Sequence, residues 1–321
     1  MVEDVEAYES DNEECDWVPE IADSRTGQIL DPKLVKEARA EELKFMEGFG
    51  IFEETSVEEC RRETGKMPVG TKWVDVNKGP LAEPVVRSRL VARDFKPKGE
   101  KERGDLFAAM PPLEANKMLF SIAAAHPRVL RGGKWMRPKL MFIDVKKAHL
   151  DGVVKDDERV YVSMEGDLPG RCRRLRKWLY GMRPAASAWE EDFSSKLAGM
   201  GLKAGKSSAV VFCDVEREVR CVVHGDDFTF LAYEDELERI KMAMIKAYLM
   251  TVRGVLGPDL KDQKEITILN RKLVWSEVGL TYEADANHAK KILEDMGLHA
   301  SSNGLDKPCI KETTQEIEQD S

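Results

Sequence analysis

Asp226 and Asp227 stand side by side in the run Val222-Val223-His224-Gly225-Asp226-Asp227-Phe228-Thr229-Phe230. Two adjacent ionised carboxylates repel each other, and a divalent cation offsets that cost. Gly and Asp between β-branched and aromatic residues predict a β-hairpin with Gly225-Asp226-Asp227 at its tip. A turn that lifts two carboxylates to the edge of an apolar sheet is a candidate Mg²⁺ site. A solvated Asp-Asp turn has the same local pattern, so the reading depends on what else the chain brings there.

A third carboxylate, Asp144, closes the short apolar run Leu140-Met141-Phe142-Ile143, which predicts a buried strand. The middle of the chain then reads as β(Asp144), helix, β, β(Gly-Asp-Asp), helix, β. That order sets three carboxylates on neighbouring core strands of a small α+β sandwich. Three Asp without a His or Cys ligand set select a hard cation with oxygen ligands, Mg²⁺ or Mn²⁺. Two such ions clamp the attacking and leaving oxygens of a phosphoryl transfer. The spacing points to a two-metal nucleotidyl or phosphoryl transferase.

Two basic stretches could serve such chemistry. Arg87, Arg89 and Arg93 share one parity along a predicted strand, Val85–Ala92, so they would project from one face and suit a polyphosphate; a solvated strand edge is the alternative. Arg171, Arg173, Arg174, Arg176 and Lys177 precede Trp178 and Tyr180. Bases with interleaved aromatics can hold a nucleic-acid backbone and stack its bases, although such a cluster can also be a solvated face.

The rest of the chain must position these groups. Its 321 residues are 42% apolar and 34% charged, enough for one large domain or two ordinary ones. The net charge of −9 is concentrated: residues 1–24 hold ten acids and no base, which leaves +1 for everything after Ser24. Residues 1–30 and 301–321 are expected to be disordered tails flanking an ordered body, 31–300. Within the body, helices are predicted from Pro32 to about Phe49, from Val57 to Thr64, from Leu113 to Ala125, around Trp189–Leu197, from Glu236 to Tyr248 and from Asp285 to Met296. Short strands are predicted at Lys72–Val76, Val210–Cys213, Val219–Val223, Ile266–Leu269, Leu273–Trp275 and Leu280–Tyr282. The six Cys are scattered, with no C-x-x-C pair, which argues against both zinc and a disulfide framework. No run of 18 apolar residues occurs and the N-terminus is acidic. The expectation is an intracellular protein, cytoplasmic or nuclear, with no membrane partner.

Five motifs in order carry a resemblance. Lys72-Trp73-Val74, Arg87-Ser88-Arg89-Leu90-Val91-Ala92-Arg93, Asp144-Val145-Lys146-Lys147-Ala148, Leu179-Tyr180-Gly181-Met182-Arg183 and Asp226-Asp227 resemble those of copia-type retrotransposon reverse transcriptases, over about residues 34–298. The resemblance implies a right-hand polymerase with fingers, a ferredoxin-like palm and a partial thumb, acting on an RNA or DNA template–primer with deoxynucleoside triphosphates. It implies palm metal ligands at Asp144, Asp226 and Asp227, and triphosphate contacts at Arg89 or Arg93. It also implies a nucleotide pocket at His149, Tyr180 and Gly181, and a primer-holding hairpin at Leu269-Asn270. Arg173, Arg174 and Arg176 are the expected nucleic-acid contacts of the basic cluster. The chain departs from the family where His224-Gly225 replaces Tyr-Val, His149 replaces an aromatic, Pro184-Ala185-Ala186 replaces Gln-Ser-Pro and Asn270 replaces Gly. A domain that binds nucleic acid or a protein partner without turnover is the competing reading.

Overall fold

The structure, a computed structural model, describes residues 20–96, 98, 104–299 and 301–302. It is built on a six-stranded sheet in the order β13-β6-β12-β11-β10-β9. Its strands are β6 (Lys139–Val145), β9 (Lys203–Ala204), β10 (Val211–Asp214), β11 (Val219–His224), β12 (Asp227–Ala232) and β13 (Met250–Leu256). β6 is apolar along nearly its whole length because both of its faces are covered. Met141, Ile143 and Val145 alternate with Leu140 and Phe142, so the two sets point to opposite faces. The first set joins Phe228 and Phe230 against helices α4 (Ala185–Gly199) and α5 (Glu234–Ala247). The second joins Val222 and Leu231 against α3 (Leu113–Ala125) and a three-stranded sheet. That small sheet has the order β14-β15-β16, from Glu265–Ile268, Arg271–Ser276 and Gly279–Glu283. α6 (Ala286–Asp295) follows it, capped by the Asp285 carboxylate on the Asn287 amide.

A five-stranded sheet forms the other half. Its order is β1-β8-β7-β2-β3, from β1 (Phe52–Ser56), β2 (Val69–Asn77), β3 (Val86–Ala92), β7 (Tyr161–Ser163) and β8 (Arg171–Leu175). α1 (Pro32–Gly48) packs on this sheet through Met46, and α2 (Val57–Thr64) starts where the Ser56 hydroxyl accepts the Glu59 amide. A two-stranded ribbon, β4 (Val129–Arg131) with β5 (Lys134–Met136), leads into β6. The halves are tied by Lys147, whose ammonium pairs with buried Glu42 of α1 and sits 3.7 Å from the centre of the Phe45 ring. Among the described residues no helix is long and apolar enough to cross a membrane.

Most expected elements form close to their expected places, and the α+β class holds. Three differences bear on function. The first is at the N-terminus. Glu20–Leu30 is ordered rather than loose: Ala22 bridges Ile29, and the Asp23 carboxylate accepts the amides of Arg25, Thr26 and Asn77. Residues 1–19 and 303–321 of the expected tails lie outside the described residues.

The second is the basic cluster. Arg171–Leu175 is strand β8, and its partner β1 brings Glu53 opposite Arg174 and Glu54 opposite Arg173. Arg176 reaches Glu53 at 2.8 Å, Arg174 reaches it at 3.9 Å, and Arg173 also pairs with Asp167. The expected nucleic-acid contacts Arg173, Arg174 and Arg176 thus each have an acidic partner within the molecule. Three free phosphate contacts would contribute roughly three units of slope in log K against log[salt]. With the bases already paired, replacing all three with Ala should change that slope by less than about one unit. Filter binding of a template–primer across a salt series measures this directly.

The third is β13. No strand was expected over Met250–Leu256, yet it pairs antiparallel with β6 and supplies the sheet edge beside Asp144.

Candidate active site

Asp144 and Asp227 face each other across β6 and β12, as Cα partners in the register. The β11–β12 hairpin turns through Gly225 and Asp226, with His224 paired to Asp227. Gly225 has φ of +66°, a conformation that costs Gly little. Two hydrogen bonds fix this turn: the Trp189 indole N–H of α4 donates to the Gly225 carbonyl at 2.9 Å, and the Val145 amide donates to the Asp226 carbonyl at 2.9 Å. The tip is therefore held from helix and strand at once, with the Asp226 side chain exposed and Asp227 half-buried.

Burial is the main cause that pushes the Asp227 carboxyl above its ordinary range; Arg253 opposes the shift, and Asp226 and Asp144 add to it by repulsion. Arg253 of β13 places a guanidinium N 3.1 Å from Asp144 Oδ1, and its Nε lies 3.9 Å from Asp227 Oδ1. Among the described residues no three His, Cys, Asp or Glu side chains form a group that could hold a metal. What the structure has is a pair of hard oxygen donors sharing one cation. That donor set fits Mg²⁺, which is bound through one or two carboxylates with waters and substrate phosphates completing the shell.

The residues expected to form the nucleotide pocket lie within electrostatic reach of Asp226. His149, in the 3₁₀ turn Ala148–Asp151, meets Tyr180 edge-on with ring centres 5.6 Å apart. The Arg89 guanidinium lies 5.2 Å from the centre of the same Tyr180 ring. Burial holds the His149 imidazole below its ordinary range, against the pull of the Asp226 charge, so the ring is neutral at pH 7 and above. Burial likewise lifts the Tyr180 phenol to about 12, keeping it a neutral donor. The Tyr180 carbonyl accepts the Ala92 amide at 2.7 Å, which joins this turn to the end of β3.

The structure brings together Asp144, Asp226 and Asp227, sets His149 and Tyr180 within reach of the Asp226 charge and Arg89 over the Tyr180 ring, and places Gly181 as the turn after Tyr180. Arg93 sits just past β3 with its guanidinium against Gly70. Arg173 and Arg174 lie on β8 of the five-stranded sheet, and Arg176 follows directly after it. Leu269 and Asn270 form the tip of the β14–β15 hairpin, with φ of +46° and +59°. Asn tolerates this left-handed region, and both residues are needed there to reverse the chain in two positions. Arg253 was missed from the sequence. Its signal was the run Met250-Thr251-Val252-Arg253-Gly254-Val255-Leu256, in which apolar residues recur as in a strand and an Arg lies next to Gly.

The solved structures similar to this chain include two of a foamy viral protease–reverse transcriptase in complex with double-stranded DNA. Each is 13% identical to this chain and covers 94% of it, with TM-scores of 0.43 and 0.45. The chain spans 43% and 51% of those chains. The paired Asp of the hairpin, the strand-end Asp opposite them and the Tyr-Gly turn fall within residues 59–310, which match one family model as a unit. On that match the chain belongs to the family described as reverse transcriptase (RNA-dependent DNA polymerase).

Proposed function

We propose that this chain is the RNA-directed DNA polymerase domain of a copia-type retrotransposon. It extends a primer on an RNA or DNA template from deoxynucleoside triphosphates, within the cell, in the cytoplasm or nucleus. The observation that carries this reading is the meeting of Asp144 and Asp227 across adjacent strands, with Asp226 at the turn in electrostatic reach of His149 and Tyr180, whose ring Arg89 covers. Asp144 and Asp227 would hold Mg²⁺ or Mn²⁺, with Asp226 beside them at the turn as the third expected ligand. Bound there, the metal supplies charge neutralisation for the triphosphate and acidifies the attacking hydroxyl. Arg89 offers a fixed positive charge to the triphosphate, and Tyr180 holds that guanidinium by its ring face. The two hydrogen bonds on Gly225 and Asp226 keep the turn preorganised, so little reorganisation accompanies catalysis. Primer extension on an RNA template, with Mg²⁺ and Mn²⁺ compared, tests the reading; no incorporation with either metal by a folded chain refutes it.

His149 is the sugar-selecting position of this proposal. An imidazole is smaller than a phenyl ring, and its nitrogens can hydrogen-bond a 2′-hydroxyl that phenyl can only exclude. Replacing His149 with Phe should raise the preference for deoxyribonucleotides over ribonucleotides, and replacing it with Ala should lower it. The change belongs in the ratio of kcat/KM values, by about 10-fold in each direction. If His149 only packs against Tyr180, both variants alter stability and leave that ratio unchanged.

A further inference from the structure

Arg253 is the extra residue of a β-bulge. β13 pairs Val252 with Ile143 and then Gly254 with Phe142, which leaves Arg253 outside the ladder. Such bulges re-aim a side chain, often beside an active site. Here the side chain reaches Asp144 at 3.1 Å and Asp227 at 3.9 Å, from the strand edge next to both. It is 41% exposed, so it can leave the carboxylates for solvent without disturbing the core. Arg does not lose its proton in proteins, so the contact can be released by displacement and not by titration.

We infer that Arg253 is a positioning residue that holds Asp144 and Asp227 as an ion-paired, metal-free site, and that loading a divalent cation requires it to move away. The inference rests on the reading of these Asp as metal ligands. A guanidinium held on Oδ1 of each carboxylate competes with a metal ion for those lone pairs, and the two cations repel. Arg253 therefore has two opposite effects. In the metal-free protein it offsets the repulsion between Asp144 and Asp227. Toward an incoming ion it is a competitor. A residue with a purely structural role has the first effect and lacks the second.

The test is calorimetric titration of Mn²⁺ into the full chain at pH 7.5, for wild type, Arg253→Ala, Arg253→Lys and Asp144→Asn. Arg253→Ala should bind Mn²⁺ about 5- to 10-fold more tightly than wild type. Its thermal midpoint should be lower without metal and should rise further than that of wild type on saturation. Arg253→Lys restores a cation and should return the affinity most of the way to wild type. Equal or weaker Mn²⁺ binding by a folded Arg253→Ala overturns the inference, and Arg253→Gln replaces it under the same criterion if the Ala variant does not fold. If wild type and Arg253→Ala bind equally while Asp144→Asn abolishes binding, the inference about Arg253 fails and the metal reading stands. If no variant binds Mn²⁺, both fall.

Discussion

Asp227→Asn should slow primer extension by at least about 100-fold while making the folded protein more stable at neutral pH. The loss follows from removing one of the facing carboxylates on which the proposed cation chemistry depends. The gain follows from the environment of the same group. Its carboxyl is raised above the ordinary range by burial and by the neighbouring Asp226 and Asp144, so the ionised form is penalised in the folded state. For a raised carboxyl, that penalty is fully present above the folded value and absent below the unfolded value of about 3.9. Asn, uncharged throughout, should therefore stabilise at pH 7 and lose its advantage as the pH falls toward 4. The site is partly open and Arg253 already compensates part of the cost, so the gain is about 0.5–1 kcal/mol. Thermal unfolding across pH 4–8, beside single-nucleotide incorporation rates, measures both. Full activity removes Asp227 from the mechanism. A variant less stable than wild type at every pH means that the ion pair with Arg253 outweighs the repulsion.

Gly181→Ala should destabilise the protein by about 2–4 kcal/mol, the sum of a left-handed-backbone penalty and overpacking. Gly181 has φ of +81°, and a Cβ there would lie 2.3 Å from the Ala92 carbonyl oxygen and 2.5 Å from Val91 Cγ1. Neither neighbour can yield cheaply, since both belong to β3, which is paired along its length with β2. The turn must move instead, carrying Tyr180 off the Arg89 guanidinium, and KM for the nucleotide should rise with the loss of stability. Gly225→Ala is the control. Its φ of +66° imposes a similar backbone penalty, but a Cβ there meets nothing within 4 Å, so the cost should stay near 1 kcal/mol. Denaturant midpoints for the two variants separate steric closure from backbone strain. Equal destabilisation of the two variants would show that the approach of Gly181 to β3 is not what demands glycine.

The features legible in the sequence were those written in adjacent residues. Leu140–Ile143 is a core strand because an unbroken apolar run has to be covered on both faces. Gly225-Asp226 is a turn because a glycine with positive φ sits between two such runs. Leu113–Ala125 and Val57–Thr64 begin and end where expected because their caps are local: Ser56 on the Glu59 amide, and Pro127 two residues beyond Ala125. β13 was not legible. Its apolar pattern is interrupted by Arg253 and Gly254, and the bulge that accommodates them exists only against β6.

The sequence by itself determined that Asp144 would close a core strand, that Asp226 and Asp227 would sit at the tip of a hairpin, and that a Tyr-Gly turn and a strand of alternating Arg would be present. These follow from alternation and turn chemistry, which act over a few residues. Only the tertiary structure decided what each charge faces. Arg176 meets Glu53 across 123 positions of sequence, and Arg253 meets Asp144 across 109. The same residue types, differently paired, would leave the basic cluster open to phosphate and the Asp pair without a counter-charge. Electrostatic energy depends on separation in space, and strand pairing between distant segments sets that separation.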